Sequence, residues 1–220
     1  MKKFLIKNNV VFYTPHLEGG GTIYGINSLK HTKISPYINS GDILEMCSGP
    51  GFMGFYLNFI NKCKTLTLID INNECEEYIE KTIKYNNINN TKFYKSNGFT
   101  NIKLDLKFDT IILNPPHHKK LSNYHFASKQ ISTDSENLDF HLNFFNNVCN
   151  YMKKNSNIIY IGASNGANNI SPSDILNITK NKFNIKLINF DYYGNDKLHY
   201  IHKDGKYELS EFYVMVLSLR

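Results

Sequence analysis

The stretch Gly41-Asp42-Ile43-Leu44-Glu45-Met46-Cys47-Ser48-Gly49-Pro50-Gly51-Phe52-Met53-Gly54 constrains the fold more than any other part of the chain. It reads as a short buried strand, an acidic residue at its tip, a glycine-rich turn and a helix start. Glycines at 49 and 51 let backbone come close to a bound ligand, and Gly54 lets the helix pack tightly on the strand. The spacing is also Gly-x-Gly-x-x-Gly, the dinucleotide fingerprint, which by itself has little specificity because such spacings arise by chance in loops.

The rest of the chain alternates strand and helix in the same way, implying a mostly parallel sheet with helices on both faces. The apolar run Thr65-Leu66-Thr67-Leu68-Ile69-Asp70 gives a second strand, and Glu74 to Ile83 a helix. Thr91 to Tyr94 is a short strand, Asp109 to Leu113 the fourth, Asn157 to Ile161 the fifth and Ile185 to Phe190 the sixth. A helix from about Glu136 to Met152 carries Leu138, Leu142, Phe145, Cys149 and Met152 on one stripe, opened by a Thr133-x-x-Glu136 capping box. Phe212 to Leu217 is the last strand, and Asp204-Gly205 reads as a hairpin turn before it. With 220 residues, 41% of them hydrophobic, the chain can bury one substantial core. Residues 1–40 are expected to form an N-terminal extension or lid and residues 41–220 the ligand-binding domain.

Polar groups fall at the carboxyl ends of these strands, where open α/β sheets bind ligands. Glu45 stands four residues before Gly49. A carboxylate there repels a diphosphate but can hold a cationic amino-acid end, directly or through water, which favours S-adenosylmethionine over NAD. Asp70 can accept from both ribose hydroxyls of an adenosine, or cap the helix opened by Asn72 and Asn73. Asn97 is a candidate for the adenine amino edge, with Phe99 as a ring contact, although Asn97-Gly98 is also an ordinary turn signal.

Asn114-Pro115-Pro116-His117 ends the apolar run Phe108-Asp109-Thr110-Ile111-Ile112-Leu113. It presents a side-chain amide and bare carbonyls to one point, while two prolines fix φ and withhold N–H groups. Such a cluster accepts hydrogen bonds and offers few, which suits a planar –NH2 group that donates them. An ordinary strand-to-loop break accounts for the prolines equally well.

With both motifs in place the chain resembles the class I S-adenosylmethionine-dependent methyltransferases of the Asn-Pro-Pro-(aromatic) N-methyltransferase type. Ser96-Asn97-Gly98-Phe99 and Asn114-Pro115-Pro116-His117-His118 are similar to motifs of the ribosomal-RNA guanine-N2 methyltransferases. Asn137-Leu138-Asp139-Phe140-His141 is similar to a helix start in the release-factor glutamine methyltransferases. The resemblance covers roughly residues 40 to 162. It implies a single Rossmann-like domain, seven-stranded and mostly parallel with an antiparallel last strand, that binds S-adenosylmethionine and yields S-adenosylhomocysteine. The implied cofactor residues are Glu45, Cys47, Ser48, Gly49, Gly51, Asp70, Ile71, Asn97, Gly98, Phe99 and Asn114. Asn114, Pro115 and His117 are the implied catalytic residues, with His117, His118 and Tyr124 at the substrate. Two departures stand out: Cys47 replaces the usual first glycine of the loop, and His117 occupies the slot of a Phe or Tyr. Imidazole can stack, but it also titrates near neutrality.

A net charge of +6 admits a polyanionic partner without demanding one. Lysines are scattered, and no arginine precedes Arg220, although arginine is the usual side chain for gripping phosphate and guanine. The acceptor is left among RNA, a protein glutamine and a small molecule. Cysteines 47, 63, 75 and 149 lack Cys-x-x-Cys spacing, which favours reduced, mostly buried thiols. Histidines 117, 118 and 125 lack a supporting ligand pattern, so no metal is expected. No apolar stretch reaches membrane-span length and no signal segment is legible, giving the expectation of a cytoplasmic protein. The segment 119–135, with Tyr124, His125 and Phe126, reads as a substrate lid. Gly19-Gly20-Gly21-Thr22 is a second closing segment or a linker. A Rossmann oxidoreductase using NAD and a non-catalytic cofactor-binding module are the alternative functions.

Overall fold

The computed structural model describes residues 1–17, 23–102, 105–119, 133–163, 170–189, 199–201, 207–209 and 212–220. β1 (Lys2–Ile6) and β2 (Asn9–Tyr13) pair as an antiparallel hairpin, followed by a 3-10 turn and α1 (Ile23–Lys30). Next come β3 (Gly41–Met46), α2 (Phe52–Phe59), β4 (Cys63–Asp70), α3 (Glu74–Tyr85), β5 (Thr91–Lys95) and β6 (Phe108–Leu113). Short strands β7 (His118–Lys119) and β8 (Thr133–Asp134) precede α4 (Asp139–Asn147), β9 (Met152–Ala163), α5 (Pro172–Thr179) and β10 (Phe183–Asn189). β11 (His199–Ile201) and β12 (Tyr207–Leu209) pair antiparallel, and β13 (Phe212–Leu219) ends the chain. The expected Asp204-Gly205 turn between β11 and β12 lies outside the described residues.

Seven strands form one sheet in the order β10-β13-β9-β6-β3-β4-β5. β13 runs antiparallel to both neighbours, and the pairs from β9 to β5 are parallel, as the sequence leads one to expect. Alternate side chains of the central strands point to opposite faces. Ile43, Leu68, Ile112, Ile159 and Val214 enter one apolar layer with α1, α2 and α3. Leu44, Ile69, Ile111, Leu113, Ile158 and Met215 enter the other, against α4 and α5. Burial on both faces explains why these strands read as near-continuous apolar runs.

Residues 1–40 contribute to the first of these layers, through Ile6, Val11, Tyr13, Ile26, Leu29 and Ile34. The β2 strand docks on α3 through polar side chains. Asn86 accepts from Val10 N at 3.0 Å and donates to Val10 O at 2.7 Å, and Thr82 Oγ1 accepts from Phe12 N at 3.0 Å. The Gly19–Thr22 segment lies outside the described residues.

Around α4 the structure departs from the sequence reading. The helix starts at Asp139 and gives way to a 3-10 turn at Val148–Tyr151. Its N-cap is Leu138, with no side-chain capping hydrogen bond, so the expected Thr133-x-x-Glu136 start lies ahead of the helix. Asp134 accepts from the N–H groups of Ser135, Phe140 and His141, and Leu138 before the helix has φ 60. Leu142 is exposed, whereas His141, Phe144 and Phe145 are buried. Of the expected stripe, Leu138, Phe145 and Met152 are buried and Cys149 packs on the core, while Leu142 turns outward and His141, with buried polar partners that an apolar period cannot anticipate, takes an interior position.

Asn86→Ala strands both backbone groups of Val10 and should lower unfolding free energy by about 2 kcal/mol. Urea denaturation measures it, and a midpoint equal to that of the unaltered chain would show the hairpin docking to be incidental.

Candidate functional site

β3 and β6 are paired from Ile43 and Thr110 to Met46 and Leu113. Cys47 and Asn114 therefore leave neighbouring strand ends. The chain runs outward through β3, β4 and β5, then returns with β6 on the far side of β3. A reversal of strand order of this kind opens a crevice at the carboxyl edge, and Glu45, Asp70, Asn97 and Asn114 all sit at that edge.

The glycine turn is tied to the next strand. Ser48 N donates to Ile69 O at 2.9 Å, Gly51 N to Ser48 O at 2.8 Å, and Gly49 N to Asp70 Oδ2 at 2.7 Å. Gly49 has φ +50, and a Cβ built there meets no described atom within 4 Å, so its backbone faces open space. Cys47 has φ +57, the left-handed conformation glycine adopts freely. A side chain there costs roughly 1–2 kcal/mol, which explains why glycine is usual at this position.

Glu45 is fully buried, and its Oε2 accepts from Gly54 N at 2.7 Å at the start of α2. A Cβ on Gly54 would lie 2.7 Å from that oxygen, so glycine at 54 makes room for the carboxyl as well as for helix packing. Burial pushes the Glu45 carboxyl up to about 8; the Gly54 and Met53 N–H groups oppose the rise, and the nearby Asp70 charge adds to it. Asp70 is also raised by burial, opposed by N–H groups including Asn72 and Gly49. Its two oxygens serve the expected cap and the loop tie together: Oδ1 accepts from Asn72 N at 2.9 Å and Oδ2 from Gly49 N. Beside it Ile71 is 44% exposed, an uncovered apolar side chain at the strand end.

Asn97 is exposed after β5, and its carbonyl accepts from Thr100 Oγ1 at 2.7 Å. Gly98 has φ +57, as its turn requires. Phe99 packs into the core, its ring 4.2 Å from that of Tyr151 at an angle of 8°. That face is accordingly covered by protein.

At the end of β6, Asn114 Oδ1 is buried without a hydrogen-bond partner among the described residues. An unmatched buried amide oxygen costs about 1–3 kcal/mol and leaves this atom able to accept a further donor. Pro115 is buried beside it. The carbonyl of His117 accepts from Ile170 N at 2.8 Å. Burial, then the neighbouring His118 and His141, pulls the His117 imidazole down to about 3. It is neutral at pH 7 and a weak base. His118 lies on β7, opposite Thr133 of β8. Tyr124 lies outside the described residues, as does most of the segment expected to form a lid.

Sequence reading missed Asp134, His141 and Tyr160, which form a buried polar row behind this corner. Asp134 Oδ2 is 2.6 Å from His141 Nδ1, and His141 Nε2 is 3.1 Å from the Tyr160 hydroxyl. Burial alone would raise the Asp134 carboxyl; its bonds to His141 and to backbone amides outweigh this and hold it below the usual range.

A family model for the methyltransferase small domain matches residues 5–141. Over 134 residues the chain is 31% identical to the ribosomal RNA small subunit methyltransferase C of Buchnera aphidicola, covering 59% of this chain and 38% of that protein. It is 26% identical over 170 residues to the release factor glutamine methyltransferase of Fusobacterium nucleatum, covering 73% and 47%. The chain thus spans less than half the length of these curated relatives. The solved structure of ribosomal protein L11 methylase from Lactobacillus delbrueckii subsp. bulgaricus shares the fold with a TM-score of 0.58 at 12% identity, covering 90% of this chain and 79% of that one.

Glu45 holds its proton more tightly in the folded state, near 8 against an ordinary 4.5. The folded state consequently binds more protons than the unfolded one between those values, and stability falls as pH rises through that window. Unfolding of the ligand-free protein from pH 5 to 8.5 should show this fall, and Glu45→Gln should flatten it. Parallel profiles for the two proteins would refute the assignment.

Proposed function

The chain belongs to the methyltransferase small domain family, and from that premise we propose that it transfers a methyl group from S-adenosylmethionine to a planar amino or amide nitrogen. The observation that carries this reading is the buried, unmatched Oδ1 of Asn114, beside the glycine turn that follows β3. Relatives named for methylation of ribosomal RNA and of release-factor glutamine support the same class of acceptor.

S-adenosylmethionine supplies, when bound, an electrophilic methyl carbon on a cationic sulfur. The open backbone at Gly49 and the turn from Cys47 through Ser48 to Gly51 would cradle its amino-acid end, and Glu45, protonated near neutral pH in the ligand-free chain, would ionise as that cation arrives. Asp70 accepts from the ribose hydroxyls with lone pairs that Gly49 and Asn72 leave free. Ile71, with its exposed side chain, and Asn97 with Gly98 are the residues that would hold the adenine. Asn114 Oδ1 and the Pro115 carbonyl each accept one N–H of the acceptor, pinning its nitrogen with the lone pair turned toward the methyl carbon. Transfer of the methyl group to that nitrogen would leave it positively charged and ready to shed a proton, with S-adenosylhomocysteine as the product. His117, neutral at pH 7, serves by packing against the acceptor plane; the departing proton goes to water.

Among the described residues no helix is long and apolar enough to cross a membrane. The acceptor comes from RNA, protein or a small molecule, met in the cytoplasm.

Incubation with S-adenosylmethionine labelled at the methyl group, in the presence of RNA, protein and metabolite fractions, should place label on nitrogen in one of them. Asn114→Ala should lower that transfer at least about 100-fold, while calorimetry shows S-adenosylhomocysteine still bound and NAD not bound. Label on carbon or oxygen, or full transfer by the variant, would overturn the proposal.

A further inference from the structure

The corner that holds Asn114 has an anchoring problem set by its own sequence. Pro115 and Pro116 have no N–H, so this loop can be tied down chiefly through its carbonyls, by donors from elsewhere in the chain. The His117 carbonyl has such a donor in Ile170 N, at 2.8 Å. Ile170 is held in turn by its own carbonyl, which accepts from the Tyr213 hydroxyl at 3.0 Å. The Tyr213 ring stacks on that of Tyr160, centroids 5.9 Å apart at 27°, and the Tyr160 hydroxyl lies 3.1 Å from His141 Nε2, whose ring is fixed by Asp134. The row then closes on itself, because Asp134 lies in β8 opposite Lys119 of β7, two residues beyond His117.

Packing does not require these hydroxyls. His141 and Tyr160 have no solvent exposure and Tyr213 has 1%, and phenylalanine would fill either tyrosine site without a buried polar group to satisfy. Glycine at 162 points the same way: a Cβ there would come within 2.3 Å of the Tyr213 ring, so the strand leaves room for that ring to lie across it. Tyr160 is also the cross-strand partner of Leu113, the residue before Asn114.

We propose that Asp134, His141, Tyr160 and Tyr213 are positioning residues for the methyl acceptor: their row of hydrogen bonds and stacked tyrosine rings fixes the His117 carbonyl and, through it, the Asn114 amide. This rests on the N-methyl transfer reading above. A displacement of about 1 Å at a reacting centre can cost 100-fold in rate, so a loop that cannot anchor itself makes turnover sensitive to hydroxyls remote from the chemistry.

Tyr213→Phe and Tyr160→Phe test it, with Tyr37→Phe as a matched hydroxyl deletion on the remote side, where Tyr37 accepts from Lys186 Nζ at 2.7 Å. Each is assayed with labelled S-adenosylmethionine and whichever RNA, protein or metabolite fraction takes label from the unmodified protein. Amide exchange at Ile170 is followed by NMR. The expected result for the two buried variants is a fall in kcat of at least about tenfold, KM for the methyl donor within twofold, and faster exchange at Ile170. Tyr37→Phe should match the unmodified protein. Unchanged kcat in Tyr213→Phe, or unchanged exchange at Ile170, overturns the positioning role, as does loss of donor binding in parallel with rate, which is the mark of general unfolding. If the unmodified protein labels no fraction, the N-methyl reading itself fails, and the positioning role with it.

Discussion

The four parallel pairings between β3 and β6, from Ile43 with Thr110 to Met46 with Leu113, set the distance between the two halves of the site. One half is a turn of small residues after β3 and the other an amide after β6. The proposed transfer needs both. Their spacing is therefore a property of sheet register, and a slip of a single residue would carry Asn114 about 3.3 Å along the strand. It would also exchange the faces of β6, sending Ile111 and Ile112 to opposite layers. Both side chains are fully buried, so the core that stabilises the sheet also fixes the geometry of the site.

The halves make opposite electrostatic demands, and burial serves both. On the β3 and β4 side it raises the carboxyls of Glu45 and Asp70 while amide donors hold them in place. That corner favours an arriving cation, which ionises the acids and relieves their desolvation. On the β6 side burial pulls His117 down to about 3 and leaves an amide oxygen as the acceptor.

Much of this was legible in the residues because it depends on local rules. Apolar runs buried on both faces gave the central strands, and glycines at 49, 51 and 54 mark where backbone must come close. The polar tips at Glu45, Asp70, Asn97 and Asn114 followed from where the runs stopped. What stayed hidden depends on partners distant in sequence. His141 was passed over because an apolar period has no place for a buried histidine, and its partner Tyr160 is reached only through the fold. Asp134 was overlooked in favour of Thr133 as the helix cap because the chain enters α4 through Leu138 at φ 60 rather than directly. Phe99 stacks on Tyr151, a partner fifty-two residues away that no local pattern around Asn97-Gly98 reveals.

The two-residue ladder between β7 and β8 holds Lys119 next to Asp134, and Lys119 is further bound to Asp174 at 3.1 Å. The peptide between these strands begins and ends at one fixed staple. Closing such a loop depends only logarithmically on its length, so insertions, deletions or wholesale replacement there leave the register of the sheet untouched. Change in the length of that peptide is thereby uncoupled from the seven-stranded sheet, and a protein engineer can graft a foreign segment at the same staple.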